Sequence, residues 1–479
     1  MRNGEKVLLI VGAGGMQVPL IEKAHEMQFF TLALDGSEKA IGAKIAHDFL
    51  VADISKPEEC LKILQKQRPN IQIDGVVTVG TDFSNTVAFL AQELSLPGIP
   101  LSVAWKAKNK ILMRQEFQKA GVNSPLFLAV EPGDPLPTWP YSYPMVVKPS
   151  DNMGARGVLL IAKPEDLLQG MIQARQNSPT GSILLEEYIP GPEFSVDAIV
   201  RGEDIYIEGL ADRHIFYPPS FIEMGHTFPC LKPQAIQEAV IAQFKKGVKA
   251  LGINWGAAKG DIKWDGHKAV VGEIAARLSG GYMSGWTYPL SSGRSSIQWA
   301  IETALGLPLT EQSTQEPGVV LERAIISIPG RLNSIVTFED PIQIHGLKHL
   351  FCQIQPGDLL KFPTSNVEKV GNFIIQSPSI HRGEELASRV RKALFIRLEP
   401  HEALTKEFLV GEDSRSLLFT SSPEKPLIDS YGWSVADHWD LAQKVLEKSL
   451  VWSESVSKVL EKGGAQGLVW WFDSHGQLP

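Results

Sequence analysis

The first hundred residues alternate short apolar runs with segments of helical pattern, and this alternation limits the folds open to the chain more than any other feature. The apolar runs lie at residues 6–11, 29–34 and 75–79, and the helical patterns lie at 57–67 and 85–94. Such alternation predicts a parallel sheet whose strands are joined by crossover helices. We therefore expect the chain to begin with an α/β domain.

A glycine-rich turn at residues 12–15 follows the first apolar run, and Asp35 lies about 20 residues further on, as in dinucleotide-binding folds. Such folds use the pattern G-x-G-x-x-G, and here Gln17 stands where the third glycine belongs. The fingerprint is therefore incomplete. We favour a turn that needs small residues to enter a helix over a nicotinamide site.

Composition excludes several classes of protein. The 479 residues are 43% hydrophobic, enough for several domains with real cores, and the net charge of −8 offers no basic surface to nucleic acid. The cysteines, Cys60, Cys230 and Cys352, have spacings that fit neither a disulfide framework nor a zinc site. No apolar run approaches the roughly 18 residues that span a bilayer, and the N-terminus lacks the pattern of a signal peptide. We expect a soluble, cytoplasmic protein.

Residues 103–120 follow the pattern of a single helix that carries several basic residues, among them Lys110 and Arg114. Basic residues on a helix usually form a solvated face, so this segment alone indicates no function. A turn at residues 121–125 ends the helix, and a proline-rich loop precedes the next strand.

The stretch VVKPSDNMGARGV, residues 146–158, places Lys148 on a predicted strand and Gly154 and Gly157 in the loop that follows. In a P-loop the lysine comes after the glycines and opens a helix, whereas here it comes first and the chain returns to an apolar strand. Glycines let backbone N–H groups approach phosphate oxygens. We therefore predict a phosphate-binding loop of a different kind.

An acidic connector, EEYIPGPE at residues 186–193, joins two predicted strands. An extended connector exposes backbone N–H and C=O groups that can read an adenine edge. Its carboxylates can accept hydrogen bonds from an exocyclic amine and from ribose hydroxyls. Taken alone, the pattern fits a hairpin with solvated glutamates equally well.

Two carboxylates, Asp261 and Glu273, lie on predicted strands that flank a turn at residues 264–266. The hairpin places them side by side, where they repel unless a cation lies between them. Mg²⁺ takes oxygen ligands and needs few carboxylates when substrate phosphates complete its shell. Arg277 follows, with a guanidinium suited to phosphate. The alternative is an exposed acidic pair.

Taken together and in chain order, these features resemble the ATP-grasp superfamily. The order is a helix lysine, a strand lysine, a glycine loop, an acidic connector, two hairpin carboxylates and an arginine. Within it the chain is most similar to the L-amino-acid ligase branch of carboxylate–amine ligases, related to carbamoyl-phosphate synthetase and biotin carboxylase. Residues 221–229 resemble that branch's F-x-E-x-G-H-x-x-P segment, and the whole resemblance covers about residues 1–400.

The resemblance implies a multidomain fold with α/β and α+β parts. A Rossmann-like pre-ATP-grasp domain would occupy residues 1–105, and a two-lobed ATP-grasp domain 106–316, with a mobile lid at about 124–200. A β-rich C-terminal α+β domain would follow at 317–400. Residues 401–479 lie outside the resemblance and hold five of the eleven tryptophans, which we expect to pack this extension onto the body.

The resemblance also implies the roles of individual residues. Those expected to bind ATP are Lys110, Lys148, Ser150, Gly154, Ala155, Gly157, Glu186, Glu187, Tyr188, Ile189 and Glu193. Those expected to hold Mg²⁺ or Mn²⁺ are Asp261 and Glu273. Those expected to border the substrates are Glu223, His226, Arg277, Gly280 and Gly281, with Arg277 as the catalytic group that stabilises phosphate and oxyanion.

Two departures from the family pattern concern the metal. Family members commonly have asparagine two residues after the metal glutamate, where this chain has Ala275. The other metal carboxylate is commonly glutamate preceded by histidine two residues earlier, where this chain has Asp261 and Lys259. One metal or two therefore remain alternatives, and Lys259 could replace part of the missing charge.

The implied activity joins a carboxylate, most simply an amino acid, to an amine with ATP. An acyl phosphate is the intermediate, and ADP and phosphate are released. One alternative is a bicarbonate- or formate-activating relative of biotin carboxylase or the purine-pathway enzymes, and another is an ATP-binding protein without turnover. The segment at residues 221–229 favours the ligase. The expected partners are small molecules, with neither nucleic acid nor membrane, and a homodimer is a family expectation.

Overall fold

The computed structural model describes residues 6–313, 318–411 and 454–475. These residues fall into two compact units. The first comprises the described parts of Met1–Met153, Ser178–Arg213 and Thr227–Pro317, and the second those of Gly154–Asn177, His214–His226 and Gly318–Pro479. None of the helices within these described ranges is long and apolar enough to cross a membrane.

The elements are numbered in chain order. The strands are β1 Val7–Val11, β2 Phe30–Asp35, β3 Asp48–Val51, β4 Gly75–Val77, β5 Phe127–Val130, β6 Met145–Pro149, β7 Leu159–Ile161, β8 Ile183–Glu187, β9 Glu193–Arg201, β10 Asp204–Phe216, β11 Ile222–Phe228, β12 Trp255–Trp264, β13 Ala269–Ala275, β14 Val319–Ile325, β15 Gly330–Thr337, β16 Leu347–Cys352, β17 Leu359–Leu360, β18 Gly371–Ser377 and β19 Leu394–Leu398. The helices are α1 Val18–Glu26, α2 Pro57–Gln67, α3 Ser84–Glu93, α4 Leu101–Lys108, α5 Lys110–Ala120, α6 Leu167–Gln176, α7 Gln234–Leu251, α8 Tyr288–Ser292, α9 Ser296–Ala304, α10 Ile380–Ala393, α11 Ala403–Val410 and α12 Glu454–His475.

The first unit begins with a parallel sheet of order β3-β2-β1-β4, as the alternating pattern predicted. The glycine turn after β1 is held by side chains of its own chain. The N–H of Ala13 donates to the carboxylate of Asp35 at 2.8 Å, and the side-chain amide of Gln17 donates to the carbonyl of Val79. Asp35 and Gln17 therefore stabilise the turn by hydrogen bonds. This agrees with the sequence-based interpretation of these residues as part of a tight turn into a helix.

The predicted helix at residues 103–120 is two helices, and this part of the prediction was wrong. Asn109 separates α4 from α5, and its side-chain oxygen accepts hydrogen bonds from the N–H groups of Ile111 and Leu112. Asparagine is a strong N-cap because it satisfies these first N–H donors, so a new helix starts at Lys110. Lys110 and Arg114 are buried, not solvated.

Two antiparallel sheets complete the first unit. Strand β8 lies between β5 and β6, and β12 lies between β9 and β13. Phe117 of α5 and Phe244 of α7 are fully buried in the core beneath the second of these sheets. The acidic connector at residues 186–193 runs from the end of β8 to the start of β9, which lie in different sheets, so it is not a hairpin.

The second unit is rich in β-structure, as predicted. Strand β14 pairs with β18, which pairs with β16, and a smaller sheet has the order β17-β15-β19. Trp470 of α12 is buried in this unit's core, and its indole N–H donates to the carbonyl of Glu399 at 2.9 Å. Trp433, Trp439 and Trp452 lie outside the described residues.

The chain is therefore a mixed α/β and α+β multidomain protein, which confirms the fold class. The boundaries of the four domains stay predictions.

Candidate active site

Lys148 and Glu186 form a buried ion pair in the first unit. Lys148 lies on β6 and Glu186 on the neighbouring strand β8, and their charged atoms Nζ and Oε2 are 2.5 Å apart. The other oxygen of Glu186 accepts from Nε of Arg114 at 2.7 Å, and Arg114 also donates to the carbonyl of Gly272 at 2.5 Å. One buried carboxylate thus faces two cations, which leaves an excess of positive charge.

The pKa values at this pair follow from burial and from the neighbouring charges. Burial lowers the pKa of Lys148, and the charge of Glu186 opposes this shift. Burial alone would raise the pKa of Glu186, but the charges of Arg114 and Lys148 outweigh it, so the pKa lies below its usual range. Glu186 is therefore a carboxylate at neutral pH.

Besides the pair of Lys148 and Glu186, Lys110 is a further predicted phosphate ligand, and it lies near one of the two predicted metal carboxylates. Its ammonium donates to the carbonyl of Asn152 at 2.8 Å and lies 3.6 Å from Oε1 of Glu273 on β13. Burial would raise the pKa of Glu273, but Lys110 and other nearby cations lower it to about 2. Glu273 is thus an ionised carboxylate in a strongly positive environment.

Asp261 lies directly opposite Glu273 in the register of β12 and β13, as the hairpin predicted. Its two oxygens have different partners. Oδ1 lies 2.5 Å from the ammonium of Lys259, and Oδ2 lies 3.0 Å from the guanidinium of Arg213 on β10. Asp261 is therefore neutralised by side chains of its own chain.

Glu193, at the start of β9, is enclosed in the same way. Its carboxylate lies 2.5 Å from the guanidinium of Arg213 and 3.3 Å from the ammonium of Lys263. Burial would raise the pKa of Glu193, but Arg213 and Lys263 outweigh it and lower the pKa. The Lys263 ammonium also lies 5.8 Å from the ring centre of Tyr188, so this cation borders the connector.

The connector itself passes close to β12. Gly191 has a φ of 101°, and a Cβ at this position would lie 2.2 Å from the carbonyl oxygen of Trp264. Only glycine fits here, because any side chain would clash with that backbone. Ile189 is buried, whereas the carboxylate of Glu187 accepts from the N–H of Leu126 at 3.3 Å.

The two predicted metal carboxylates differ in their fitness for Mg²⁺. Glu273 has a side chain that is 29% exposed and, among the described residues, one ion-pair partner, Lys110 at 3.6 Å, so it fits a metal whose remaining ligands are phosphate oxygens and water. Asp261 is less suited, since each of its oxygens already has a cation within 3.0 Å and a divalent ion would add a further positive charge beside them. Within the described chain, no group of three or more His, Cys, Asp or Glu residues converges as a metal site.

Arg277 and the two predicted glycines follow β13 in one loop. Nη1 of Arg277 donates to the carbonyl of Leu278 at 3.1 Å. A Cβ on Gly280 would lie 3.3 Å from the Cα of Gly80, and Gly281 has a φ of 59°. The loop thus needs glycine for a close backbone approach and for a left-handed turn.

Asp197 of β9 holds this loop, although the sequence did not single it out. Its fully buried carboxylate accepts from the N–H of Ser279 at 2.8 Å, and the hydroxyl of Ser284 donates to the carbonyl of Ser279 at 2.6 Å. Burial raises the pKa of Asp197. We infer that Asp197 positions the loop that carries Arg277.

The predicted glycine loop adopts a left-handed backbone. Gly154, Ala155 and Gly157 have φ values of 66°, 60° and 71°, a region that non-glycine residues such as Ala155 seldom adopt. In the second unit, the carbonyl of Gly154 accepts from the N–H of Asn366 at 3.0 Å. Ser150, in the first unit, is buried, and its N–H donates to the carbonyl of Ser182 at 3.1 Å.

Glu223 and His226 lie on β11 in the second unit, within a buried cluster. Nδ1 of His226 lies 2.9 Å from a carboxylate oxygen of Glu322, and Nε2 lies 3.5 Å from Glu223. The side-chain amide of Asn372 donates to the other oxygen of Glu322. Burial would lower the pKa of His226, but the two carboxylates outweigh it and raise the pKa.

Residues 141–285 match the family model described as the ATP-grasp domain. The chain contains an ATP-grasp domain. A solved structure, the L-amino acid ligase from Bacillus licheniformis, aligns with a TM-score of 0.71 at 21% identity, over 82% of this chain and 99% of that one.

Two curated sequences are also similar to this chain. An uncharacterized protein of Sinorhizobium fredii is 22% identical over 343 residues, which cover 70% of each chain. Carnosine synthase 1 of Gallus gallus is 24% identical over 339 residues, covering 65% of this chain and 36% of that protein. Together with the solved structure, these likenesses establish a shared fold.

The first unit brings several predicted residues into one group: Lys110, Lys148, Glu186, Glu193, Asp261, Glu273 and Arg277. It also contains Lys259, which the sequence analysis had named beside Asp261. It adds three residues that the sequence did not single out for the site: Arg114, Arg213 and Lys263. The sequence carried a signal for two of them. Arg114 follows Lys110 by four residues on one helix face, and Lys263 shares a strand face with Asp261.

Proposed function

We propose that this protein is an ATP-dependent carboxylate–amine ligase. The observation that carries the proposal is the charge balance of the first unit's site. Seven cationic side chains lie among five carboxylates, Glu186, Glu193, Asp261, Glu273 and Asp82, and all of these groups except Lys263 and Glu273 are 17% exposed or less; the cations are Lys110, Lys148, Lys259, Lys263, Arg114, Arg213 and Arg277. An excess of two positive charges in a site largely shielded from water suits a polyanion such as the triphosphate of ATP.

The proposed nucleotide site follows the elements that carry these charges. Lys148 contacts the α- and β-phosphates from β6, and Lys110 reaches the α-phosphate from the start of α5. The connector at residues 188–192 reads the adenine edge with backbone groups. Glu193 accepts from ribose hydroxyls, since a carboxylate has more acceptor positions than its two cations occupy.

Glu273 is the proposed ligand of Mg²⁺ or Mn²⁺. When bound there, the metal neutralises charge on the β- and γ-phosphates. The side chain is ionised and partly exposed, which suits it to this role.

The proposed reaction has two steps. An oxygen of the substrate carboxylate attacks the γ-phosphorus, the bond to the β-phosphate oxygen breaks, and an acyl phosphate and ADP form. The amine then attacks the acyl carbon to give a tetrahedral oxyanion, which collapses to the amide as phosphate leaves and the amine loses a proton. Arg277 stabilises the oxyanion and the departing phosphate, while Asp197 holds its loop in place.

An amino acid is the proposed carboxylate, and an amine or a second amino acid is the proposed acceptor. Two observations support this choice. The second unit holds a buried acidic cluster of Glu223, His226 and Glu322, whose carboxylates suit an ammonium group. The solved relative with the TM-score of 0.71 is named as an L-amino acid ligase.

Phosphate release from Mg²⁺-ATP tests this function, measured with the twenty amino acids singly and in pairs and with mass spectrometry of the products. We expect release that depends on particular amino acids and a product whose mass is one water less than the sum of two substrates. Lys148→Met is the inactive control. Release that requires bicarbonate and yields no such product would point instead to the bicarbonate-activating relatives.

A further inference from the structure

The surroundings of Asp261 point to a metal arrangement different from that of the family. We propose that Lys259 and Arg213 form a fixed cationic pair in place of a second divalent ion. Nucleotide then binds with one divalent ion, held at Glu273. This inference rests on the proposed binding of ATP.

The cationic pair occupies both oxygens of Asp261. Lys259 lies 2.5 Å from one oxygen and Arg213 3.0 Å from the other, and all three side chains are between 11% and 13% exposed. A divalent ion would have to displace one of these cations or lie beside it, at a distance where like charges repel strongly in a shielded site. Asp261 thus already has a cation at each oxygen, and Glu193 shares one of them, Arg213.

Strand register holds the pair in place. Arg213 is the register partner of Glu193 across β10 and β9, and Glu193 is the register partner of Lys263 across β9 and β12. Register partners share a sheet face, as do residues two apart on one strand, so Asp261 and Lys259 face the same way as Lys263. The pair therefore lies on one face of the paired strands β10, β9 and β12.

The two positions that depart from the family pattern, Lys259 and Ala275, lie opposite each other on the hairpin of β12 and β13. Lys259 is the direct register partner of Ala275, the position where family members commonly have a metal-binding asparagine. The methyl group of Ala275 offers no ligand and leaves room for the Lys259 side chain. A cation and a methyl group thus stand where a second metal and its ligand would otherwise be found.

Glu273 lacks such a pair. Its carboxylate has Lys110 at 3.6 Å, a distance longer than a direct hydrogen bond, and its side chain is 29% exposed. A single ion can bind here with phosphate oxygens and water as its other ligands. Asp261 and Glu273 are register partners, but we assign them different roles: Asp261 binds the cationic pair, and Glu273 binds the metal ion.

Counting bound Mn²⁺ tests the assignment. The full chain is saturated with the β,γ-imido analogue of ATP and titrated with Mn²⁺, and unbound Mn²⁺ is measured by its electron paramagnetic resonance signal. We expect one Mn²⁺ per chain in the wild type, still one in Asp261→Asn, and no tightly bound Mn²⁺ in Glu273→Gln. Two Mn²⁺ in the wild type, falling to one in Asp261→Asn, would overturn the inference.

Binding of the analogue is followed in parallel by thermal shift, so that two failures can be told apart. Absence of binding would remove the proposed function and this inference with it. Binding of the analogue with two Mn²⁺ would leave the proposed function intact and remove only the inference.

Metal-free binding supplies a second test. Because Lys259 is a built-in counter-charge, Lys259→Met should weaken binding of the analogue in excess chelator by about tenfold, the effect of losing one charge-assisted contact. Lys246→Met is the matched control, since Lys246 is exposed and its ammonium donates to the carbonyl of Gly121. Equal binding by the two variants would contradict the role assigned to Lys259.

Discussion

The two units each bury a cluster of acidic side chains, and they neutralise it in different ways. In the first unit, Glu186, Glu193 and Asp261 each pair with lysine or arginine. In the second, Glu223 and Glu322 share the single imidazole of His226. The first cluster has an excess of permanent positive charge, and the second has more carboxylates than permanent cations.

This difference in charge determines what each cluster can bind. Lysine and arginine stay charged at physiological pH, so the first cluster attracts a polyanion under all such conditions. Histidine loses its proton near neutrality, so the second cluster becomes more negative as the pH rises. A phosphate site and a site for an ammonium group have these opposite requirements.

The largest expected effect comes from removing one permanent cation of the first cluster. Lys148→Met should lower the rate of ADP formation by about 10²–10³-fold, because an electrostatic contact to the reacting phosphates is lost. Lys249→Met, at an exposed lysine paired with Glu203, is the control and should keep full activity. Comparable activity in the two variants would break the link between the first cluster and phosphate chemistry.

Removing a carboxylate from the same cluster should affect stability. Glu186→Gln leaves Arg114 and Lys148 without their buried counter-charge, which should cost about 3–5 kcal/mol of unfolding free energy. Glu116→Gln breaks more exposed pairs with Lys106 and Lys119 and should cost less than about 1 kcal/mol. Urea denaturation of both variants measures the difference, and equal losses would contradict the burial argument.

A titratable carboxyl within the first unit sharpens the comparison. Glu208 of β10 pairs with Arg294, yet burial raises its pKa from 4.5 to about 7. The folded chain therefore keeps a proton that the unfolded chain loses. Stability should fall by about 3 kcal/mol as the pH rises from about 4.5 to 7, and level off above it.

Glu208→Gln should remove this fall, as measured by thermal unfolding of wild type and variant across that pH range. Glu203→Gln, at a side chain that is 91% exposed, is the matched control and should follow the wild type. Parallel pH profiles for wild type and Glu208→Gln would show that this carboxyl does not titrate in that range.

The smallest expected effect concerns the second cluster. Glu322→Gln removes one of the two carboxylates that raise the pKa of His226, so the imidazole should lose its proton at a lower pH. An NMR titration of the histidine resonances measures the shift. Glu384→Gln, whose carboxylate pairs with Arg323, is the control.

The raised pKa of His226 also predicts how the stability of the folded chain depends on pH. Since the pKa of His226 is raised above 6.5, its protonation contributes stability that is present below pH 6.5 and lost as the pH rises through the raised value. An unchanged titration of His226 in Glu322→Gln would mean that Glu223 alone sets its charge.

Local patterns predicted much of the candidate site. Lys148 followed from a strand pattern, and the facing positions of Asp261 and Glu273 followed from two strands and a short turn. The start of α5 at Lys110 did not follow, because a continuous helical pattern concealed the N-cap at Asn109. The burial of Arg114 was missed for a different reason, since burial depends on what packs against a helix face.

The sequence by itself determined the elements and the order of charged groups along them, because strand and helix periods are local properties of the chain. Only the tertiary structure decided which charges meet. Arg213 is 48 residues from Asp261, and His226 is 96 residues from Glu322; each pair is joined through the pairing of distant strands. An ion pair between distant residues depends on sheet register, and register is set by the packing of the whole fold.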